Sequence, residues 1–176
     1  MPHEANGKAR AEFYLIPSGK LLAGNYPAAR DDEELRGKMR DFLRRGITAF
    51  VDLTEEGEAH PYQPFLEQEA GLLRMSVVHR RMPIPDNNAP SVAGMRAILD
   101  EIDGQIAAGR LVYVHCLFGL GRTATVFGCY LARHGLGGGD ALKELVRLQQ
   151  NTRFEGMTSP ESQKQREMVA NWPVGR

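Results

Sequence analysis

Leu111-Val112-Tyr113-Val114-His115-Cys116-Leu117-Phe118-Gly119-Leu120-Gly121-Arg122-Thr123 runs from an apolar segment into a glycine-containing loop. Leu111 to His115 has the composition of a buried strand. A helical pattern follows, with Val126, Phe127, Tyr130 and Leu131 at helical spacing. The stretch is therefore expected to be a strand ending at a cysteine, a tight loop, and a helix N-terminus. Five residues separate Cys116 from Arg122, which lets the two side chains fold back toward one centre. The intervening N–H groups can then face an anion, as in other loops that cradle phosphates.

Several features of this window favour a thiolate. Cys116 is expected to sit over the helix N-terminus, where the dipole and free N–H groups stabilise negative charge. Arg122 adds a permanent charge, and its planar fork suits phosphate oxygens. Thr123 is placed to donate to the sulfur. Gly119 and Gly121 allow close approach of the backbone to a ligand. A lone cysteine after a strand is usually packing, Arg122 alone reads as a surface charge, and His115 alone reads as a hydrogen-bonded core histidine. One anion site accounts for all of them together.

Outward from this window, the chain alternates strands and helices. Phe13–Ile16 and Lys20–Ala23 flank Pro17-Ser18-Gly19 as a hairpin. Asp31 caps a helix with Glu34 as its capping-box partner, and Gly46 stops it. A strand is expected over Ile47–Leu53, a short helix around Phe65–Ala70, and a strand near Met75–His79. Ser91 caps a helix reaching Ala108, and Gly109 ends it. After Gly137-Gly138-Gly139, Asp140 caps another helix. Ser159-Pro160 opens the last one, with serine at the N-cap and proline at the first helical position. This order predicts an α/β fold with a central, mainly parallel twisted sheet flanked by helices. Ligands in such sheets bind at the carboxyl ends of strands. At 176 residues, a single domain over 1–176 is expected, with 1–11 as a flexible tail.

Lys+Arg and Asp+Glu number 22 each. That balance argues against a chain built to hold nucleic acid or an anionic membrane. The two cysteines form no disulfide framework. Cys129 lies roughly 12 Å up the helix from its start, beyond the ~7 Å that a disulfide allows. Met1–Arg10 lacks the apolar segment of a signal peptide, and no apolar run approaches membrane-spanning length. A soluble, cytoplasmic monomer is the expectation.

Arg80-Arg81-Met82-Pro83-Ile84-Pro85-Asp86-Asn87-Asn88-Ala89-Pro90 carries three prolines. It reads as a stiffened loop with one acid, Asp86. Pro-Asp-Asn is also ordinary turn chemistry.

His115-Cys116 through Arg122-Thr123 resembles the signature of the cysteine-dependent protein tyrosine and dual-specificity phosphatases. Pro83-Ile84-Pro85-Asp86 is similar to that family's general-acid loop. Ser159-Pro160-Glu161 through Gln165-Arg166 resembles the last helix of its smaller members. Ala23–Pro27 and Asp52–Glu58 are similar to a compact bacterial branch. The resemblance implies the protein-tyrosine-phosphatase-like fold and a phosphocysteine mechanism. Cys116 attacks phosphorus, and Arg122 and the loop amides stabilise the transferring oxygens. Asp86 is acid and then base, with Asp52 and Asp100 as rivals. Thr123 assists departure of the thiolate. His115 orients the loop. Gln165 positions water, with Gln163 as its rival. The acidic 54–58 segment is either a solvated loop or a support for Arg122. No metal or other cofactor is implied.

For substrate, Leu117, Phe118 and Leu120 make the loop apolar, and it holds no lysine. With Gly119 and Gly121 they form the expected substrate-binding loop, and Tyr26 is a candidate wall. This favours a phosphorylated protein or peptide, phosphotyrosine first, with phosphoserine and phosphothreonine also accepted. The alternatives are an inositol phosphate or phosphoinositide phosphatase, a non-catalytic phosphate-binding module, and a sulfurtransferase or arsenate reductase.

Overall fold

The structure, a computed structural model, describes residues 11–16 and 18–176. Strands β1 (Phe13–Leu15) and β2 (Leu21–Asn25) form the expected hairpin, paired antiparallel; Pro17 of its turn lies outside the described residues. Helix α1 (Asp32–Arg44) is followed by β3 (Ile47–Asp52), α2 (Gln63–Leu72) and β4 (Val78–Arg81). Then come α3 (Val92–Ala107), β5 (Leu111–Cys116), α4 (Arg122–Arg133), α5 (Gly138–Gln149) and α6 (Gln163–Ala170). The sheet order is β1-β2-β5-β3-β4, parallel everywhere except at the β1–β2 edge. Central β5 is paired on both sides, Asn25 opposite Cys116 and Asp52 opposite His115. The carboxyl ends of β2, β5 and β3 thus meet at one rim.

Both faces of the sheet are covered, as a parallel sheet requires. Alternation along each strand sorts the side chains. Val112, Val114 and Cys116 face the core shared with α3, α4, α5 and α6. Tyr113 packs with Phe50 and Leu22 against Leu35, Met39 and Leu43 of α1 and Leu66 of α2. His115 follows Tyr113 on that second face, stacked on its ring at 5.6 Å. Neighbours in sequence, His115 and Cys116 therefore look into opposite layers.

The capping expectations divide. Asp31 accepts from the Glu34 N–H at 2.9 Å and Ser91 from the Gly94 N–H at 3.0 Å. Glu34, however, turns to Arg30 rather than closing a capping box. The last helix starts later than expected. Ser162, not Ser159, is its N-cap, in a capping box with Gln165. Ser159 Oγ is engaged elsewhere, donating to the Leu120 carbonyl and accepting from Gln149. Helix α5 begins at Gly138 with Gly137 as its cap, so Asp140 is inside the first turn. A Cβ on Gly138 would come 2.2 Å from the Ala170 carbonyl oxygen, and this contact with α6 places the helix start. Strand β4 starts three residues later than expected and ends two later, because its pairing runs from Ala49–Val78 to Asp52–Arg81. The expected tail falls almost wholly outside the described residues. Its last member, Ala11, is bridged to Thr152. No helix among the described residues is long and apolar enough to cross a membrane.

Candidate active site

The loop Cys116–Arg122 closes on itself through the sulfur. The Gly119 N–H donates to Cys116 Sγ at 3.2 Å. Gly119 takes φ +81°, and a Cβ there would lie 2.7 Å from the Gly24 carbonyl oxygen. Only glycine supplies that turn without strain. The N–H groups of Leu117, Phe118, Leu120 and Gly121 donate to nothing among the described residues. With the N-terminus of α4 they form a cluster of free donors around one cysteine. Leu117 and Leu120 are half-buried and anchor the loop into the two opposite cores. The expected apolar rim is thus narrower than the sequence suggested, and Phe118, 62% exposed, is its outward-facing member.

Arg122 is almost fully buried. Its Nη1 donates to Glu58 Oε2 at 2.8 Å and to the Ile84 carbonyl at 3.1 Å. Its Nη2 pairs with Glu58 Oε1 and stands 3.3 Å from Asp86 Oδ1. Burial opposes its charge, but hydrogen bonding from Glu58 and the fields of Cys116, Glu58 and Asp86 raise its pKa above the ordinary value. The Nε–H is buried and has no partner among the described residues. A buried unpaired donor costs about 1–3 kcal/mol, and an anion oxygen beside Cys116 would satisfy it.

Glu58 is the residue that the sequence only half disclosed. It holds Arg122 by two oxygens, and that hydrogen bonding keeps its carboxyl below the usual range, against the effect of burial. The acidic 54–58 segment is therefore, at this one position, a support for the arginine.

The Asp86 loop is held at the same rim. The Met82 N–H donates to the Asp52 carbonyl and the Ile84 N–H to the Leu53 carbonyl. These bonds continue the β3–β4 pairing and carry the prolines across the end of β3. Asn87, at φ 55°, and an Asn88 N–H to Pro85 carbonyl bond then turn the chain. Asp86 is 57% exposed in its side chain. The rivals lie elsewhere: Asp100 on α3 pairs with Arg133 at 2.7 Å, and Asp52 is fully buried under the loop.

Asp52 belongs to a polar layer beneath His115. It accepts from Thr54 Oγ1 and the Thr54 N–H, stands 3.5 Å from His79 Nε2 and 3.4 Å from Arg81, and lies 3.9 Å from His115 Nδ1. Burial works against ionisation, yet His79, His115 and Thr54 hold its carboxyl below the ordinary range. His115 Nε2 meets the Tyr62 hydroxyl at 2.8 Å, and burial lowers its pKa to about 4 although Asp52 pulls the other way. A neutral imidazole directed away from the sulfur fits loop orientation rather than proton transfer.

Two expected contacts are corrected. The Thr123 hydroxyl is turned to the Gly24 carbonyl, at 3.5 Å, and not to the sulfur, because the first turn of α4 packs against β2. Tyr26 is no exposed wall. Its ring is buried against Tyr62 and His115, and its hydroxyl donates to the His60 carbonyl. Burial, aided by Asp52, pushes its pKa up to about 12.

Gln165 is fully buried. Its Oε1 accepts from the Ser162 N–H and its Nε2 donates to the Asn88 carbonyl at 3.1 Å, tying α6 to the Asp86 loop. Its amide atoms lie 3.0 and 3.1 Å from where a Cβ on Gly121 would sit. Gln163 is exposed and bonds Glu167 instead. Cys116 and Cys129 are both free thiols. Cys129 is core, and burial raises its pKa.

Residues 29–136 match the family described as "Polymorphic toxin system, DSP-PTPase phosphatase". An Arabidopsis thaliana protein named phosphatidylinositol 3,4,5-trisphosphate 3-phosphatase and protein-tyrosine-phosphatase PTEN1 is 26% identical over 157 residues, which is 88% of this chain and 36% of that one. The protein tyrosine phosphatase domain-containing protein 1 of Mus musculus is 35% identical over 113 residues, 58% of this chain and 15% of that one. The chain therefore spans well under half the length of both. Among solved structures, Tk-PTP in its active form matches with TM-score 0.72 and 28% identity over 90% of this chain and 93% of its own. PTPMT1 in complex with PI(5)P shares the fold at TM-score 0.67 and 19% identity, covering 92% and 94%. Because the family match spans more than half of the chain and contains Asp86, Cys116 and Arg122, this protein belongs to the cysteine-dependent dual-specificity phosphatase family.

Proposed function

We propose that this chain is a phosphoprotein phosphatase that acts on phosphotyrosine, with phosphoserine and phosphothreonine as slower substrates, through a phosphocysteine. The observation that carries the reading is the buried Arg122 with a free Nε–H, set beside a cysteine and four unpaired loop amides. A non-catalytic module has no use for the nucleophile or for a proline-stiffened acid at the same rim. Cys116 attacks phosphorus and the ester oxygen leaves. Arg122 and the N–H groups of residues 117–122 stabilise the charge on the three remaining oxygens. Asp86 protonates the departing oxygen. A phosphate dianion on Arg122 competes with Asp86 for the guanidinium. Gln165 holds the water for the second step. His115 and Glu58 position the loop and its arginine. Thr123 acts through its contact with β2.

Three carboxylates, Glu58, Asp86 and Glu161, surround Arg122 and the adjoining Gly121. A ligand with several phosphates meets repulsion there, and the loop offers no lysine to offset it. One phosphate on an aromatic ring instead finds Phe118 exposed at the mouth. Two free thiols, one of them the nucleophile, suit a reducing, cytoplasmic setting, and one chain supplies every group named, so a monomer suffices. The residues 1–176 act as one phosphatase domain. A panel of phosphotyrosine, phosphoserine and phosphothreonine peptides with inositol phosphates tests this. Phosphotyrosine peptides are expected to turn over fastest, and Cys116→Ser to abolish turnover. Preference for inositol phosphates overturns the substrate assignment; activity surviving in Cys116→Ser overturns the chemistry.

A further inference from the structure

In a trans peptide the carbonyl of one residue and the N–H of the next point in opposite directions. Whatever holds a carbonyl on the outside of the cysteine loop therefore turns a donor toward its inside. The Leu117 carbonyl accepts from the Tyr26 N–H at 3.1 Å, which sets the direction of the Phe118 N–H. The Gly121 carbonyl accepts from the Thr125 N–H and, at 2.8 Å, from Thr125 Oγ1, which sets that of the Arg122 N–H. Those holders belong to the chain leaving β2 and to α4 itself. The Leu120 carbonyl is held differently, by the Ser159 hydroxyl at 2.8 Å, a side chain 39 positions away. On the far side of that peptide is the Gly121 N–H, which has no partner among the described residues. Ser159 is itself aimed. Its oxygen accepts from Nε2 of the buried Gln149, the last residue of α5, at 2.9 Å. A hydroxyl has one proton, and with Gln149 donating to the oxygen that proton is left for Leu120.

We infer that Ser159, aimed by Gln149, is a positioning residue of the catalytic loop: it fixes the Leu120–Gly121 peptide so that the Gly121 N–H donates to an oxygen of the bound phosphate. This rests on the phosphocysteine reading. Ser159 touches neither phosphorus nor sulfur, and no proton passes through it. The need for such a holder follows from residue 121. The Gln165 amide leaves no room for a Cβ there, with its atoms 3.0 and 3.1 Å from where one would sit. Glycine is the residue that fits, and glycine is also the residue whose φ rotates most freely. The peptide before it can turn over, which would point the carbonyl, a negative dipole end, at the phosphate in place of the N–H. The Ser159 bond opposes that turn. A donor already aimed when substrate arrives needs no reorganisation in the transition state.

Vanadate, which takes the geometry of a transferring phosphoryl group, is the probe, read by amide NMR of the isotope-labelled protein. In the unaltered chain its binding should move the Gly121 amide proton downfield, as a new hydrogen bond does. Ser159→Ala should lose most of that shift, while the Phe118 amide, set by Tyr26, keeps its own. Vanadate affinity and kcat/KM for p-nitrophenyl phosphate should both fall about tenfold, the scale on which one hydrogen bond biases an equilibrium. Ser159→Thr keeps the hydroxyl and should recover most of each loss. Gln149→Met removes the aim but not the hydroxyl and should fall between the two. A Gly121 shift that survives in Ser159→Ala makes Ser159 a packing residue and overturns the inference. So do unaltered affinity and kcat/KM, or equal losses in Ser159→Ala and Ser159→Thr. If Ser159→Ala does not fold, Gln149→Met decides, because a full shift and full kcat/KM there overturn the aiming. Absence of turnover in the unaltered protein removes the phosphatase reading, and the vanadate shift still reports which way the Gly121 N–H points.

Discussion

Arg122 shows how much one side chain depends on its surroundings. A guanidinium is costly to bury alone, and here Glu58, the Ile84 carbonyl and Asp86 share the cost. Glu58→Gln keeps an acceptor but removes the charge. It should raise KM and lower kcat/KM by roughly tenfold, equivalent to about 1.4 kcal/mol, with little change in fold; unaltered steady-state kinetics would remove the positioning role. Arg122→Lys should be far more damaging, since a point charge cannot serve Glu58 and a phosphate at once. Asp86→Asn should slow esters with poor leaving groups more than nitrophenyl esters. Equal losses across a leaving-group series would mean that Asp86 is not the acid.

At the level of elements, the site is an assembly of ends. β5 supplies Cys116, α4 starts on Arg122, the loop after β4 brings Asp86, and the α6 cap brings Gln165 and Glu161. The Ser162 cap therefore has two roles. Ser162→Ala should cost about 1 kcal/mol, a fall in Tm of roughly 2–4 °C for a chain of this size, and should lower kcat more than kcat/KM by loosening Gln165. A kcat unaffected by the loss of the cap would separate α6 from the chemistry. Gly119→Ala tests the loop itself. A Cβ at φ +81° and 2.7 Å from the Gly24 carbonyl oxygen should open the loop and cost both stability and activity.

For the molecule as a whole, the polar layer under the loop links stability to pH. His115 is buried and neutral, with its pKa lowered to about 4 from the ordinary 6.5. The unfolded chain takes up that proton more readily between these values, so stability is fully present above about pH 6.5 and declines as pH falls toward 4. The total is roughly 3 kcal/mol. Asp52, held below its ordinary range, adds a further loss at lower pH. Denaturation curves at pH 7 and pH 5 should show the decline in the unaltered protein and a flatter response in His115→Asn. An equal pH response in the two would remove His115 as the cause.

The amino-acid sequence by itself determined the α/β order, the cysteine loop and the proline-stiffened loop that carries Asp86, because those signals are local. A strand pattern, a glycine pair, a five-residue spacer and three prolines each act within a few positions. It leaves Gln163 beside Gln165, and only the fold distinguishes them, burying Gln165 and turning Gln163 to Glu167. Ser159-Pro160 is a strong local cap signal, yet α6 is capped three residues later, by Ser162. What displaces it is Ser159 bonding to Leu120, a partner 39 positions away in the chain. Tyr26 and Thr123 point elsewhere than their local sequence predicts for the same reason: which way a side chain points depends on the layer packed against it. The pairing of Glu58 with Arg122 across 64 positions, and the convergence of Glu161 and Gln165 on Gly121, exist only once β5, β3 and α6 bring their ends to one rim. Electrostatic and steric fit between groups distant in sequence is decided by tertiary structure, because the energies involved act through space and not along the chain.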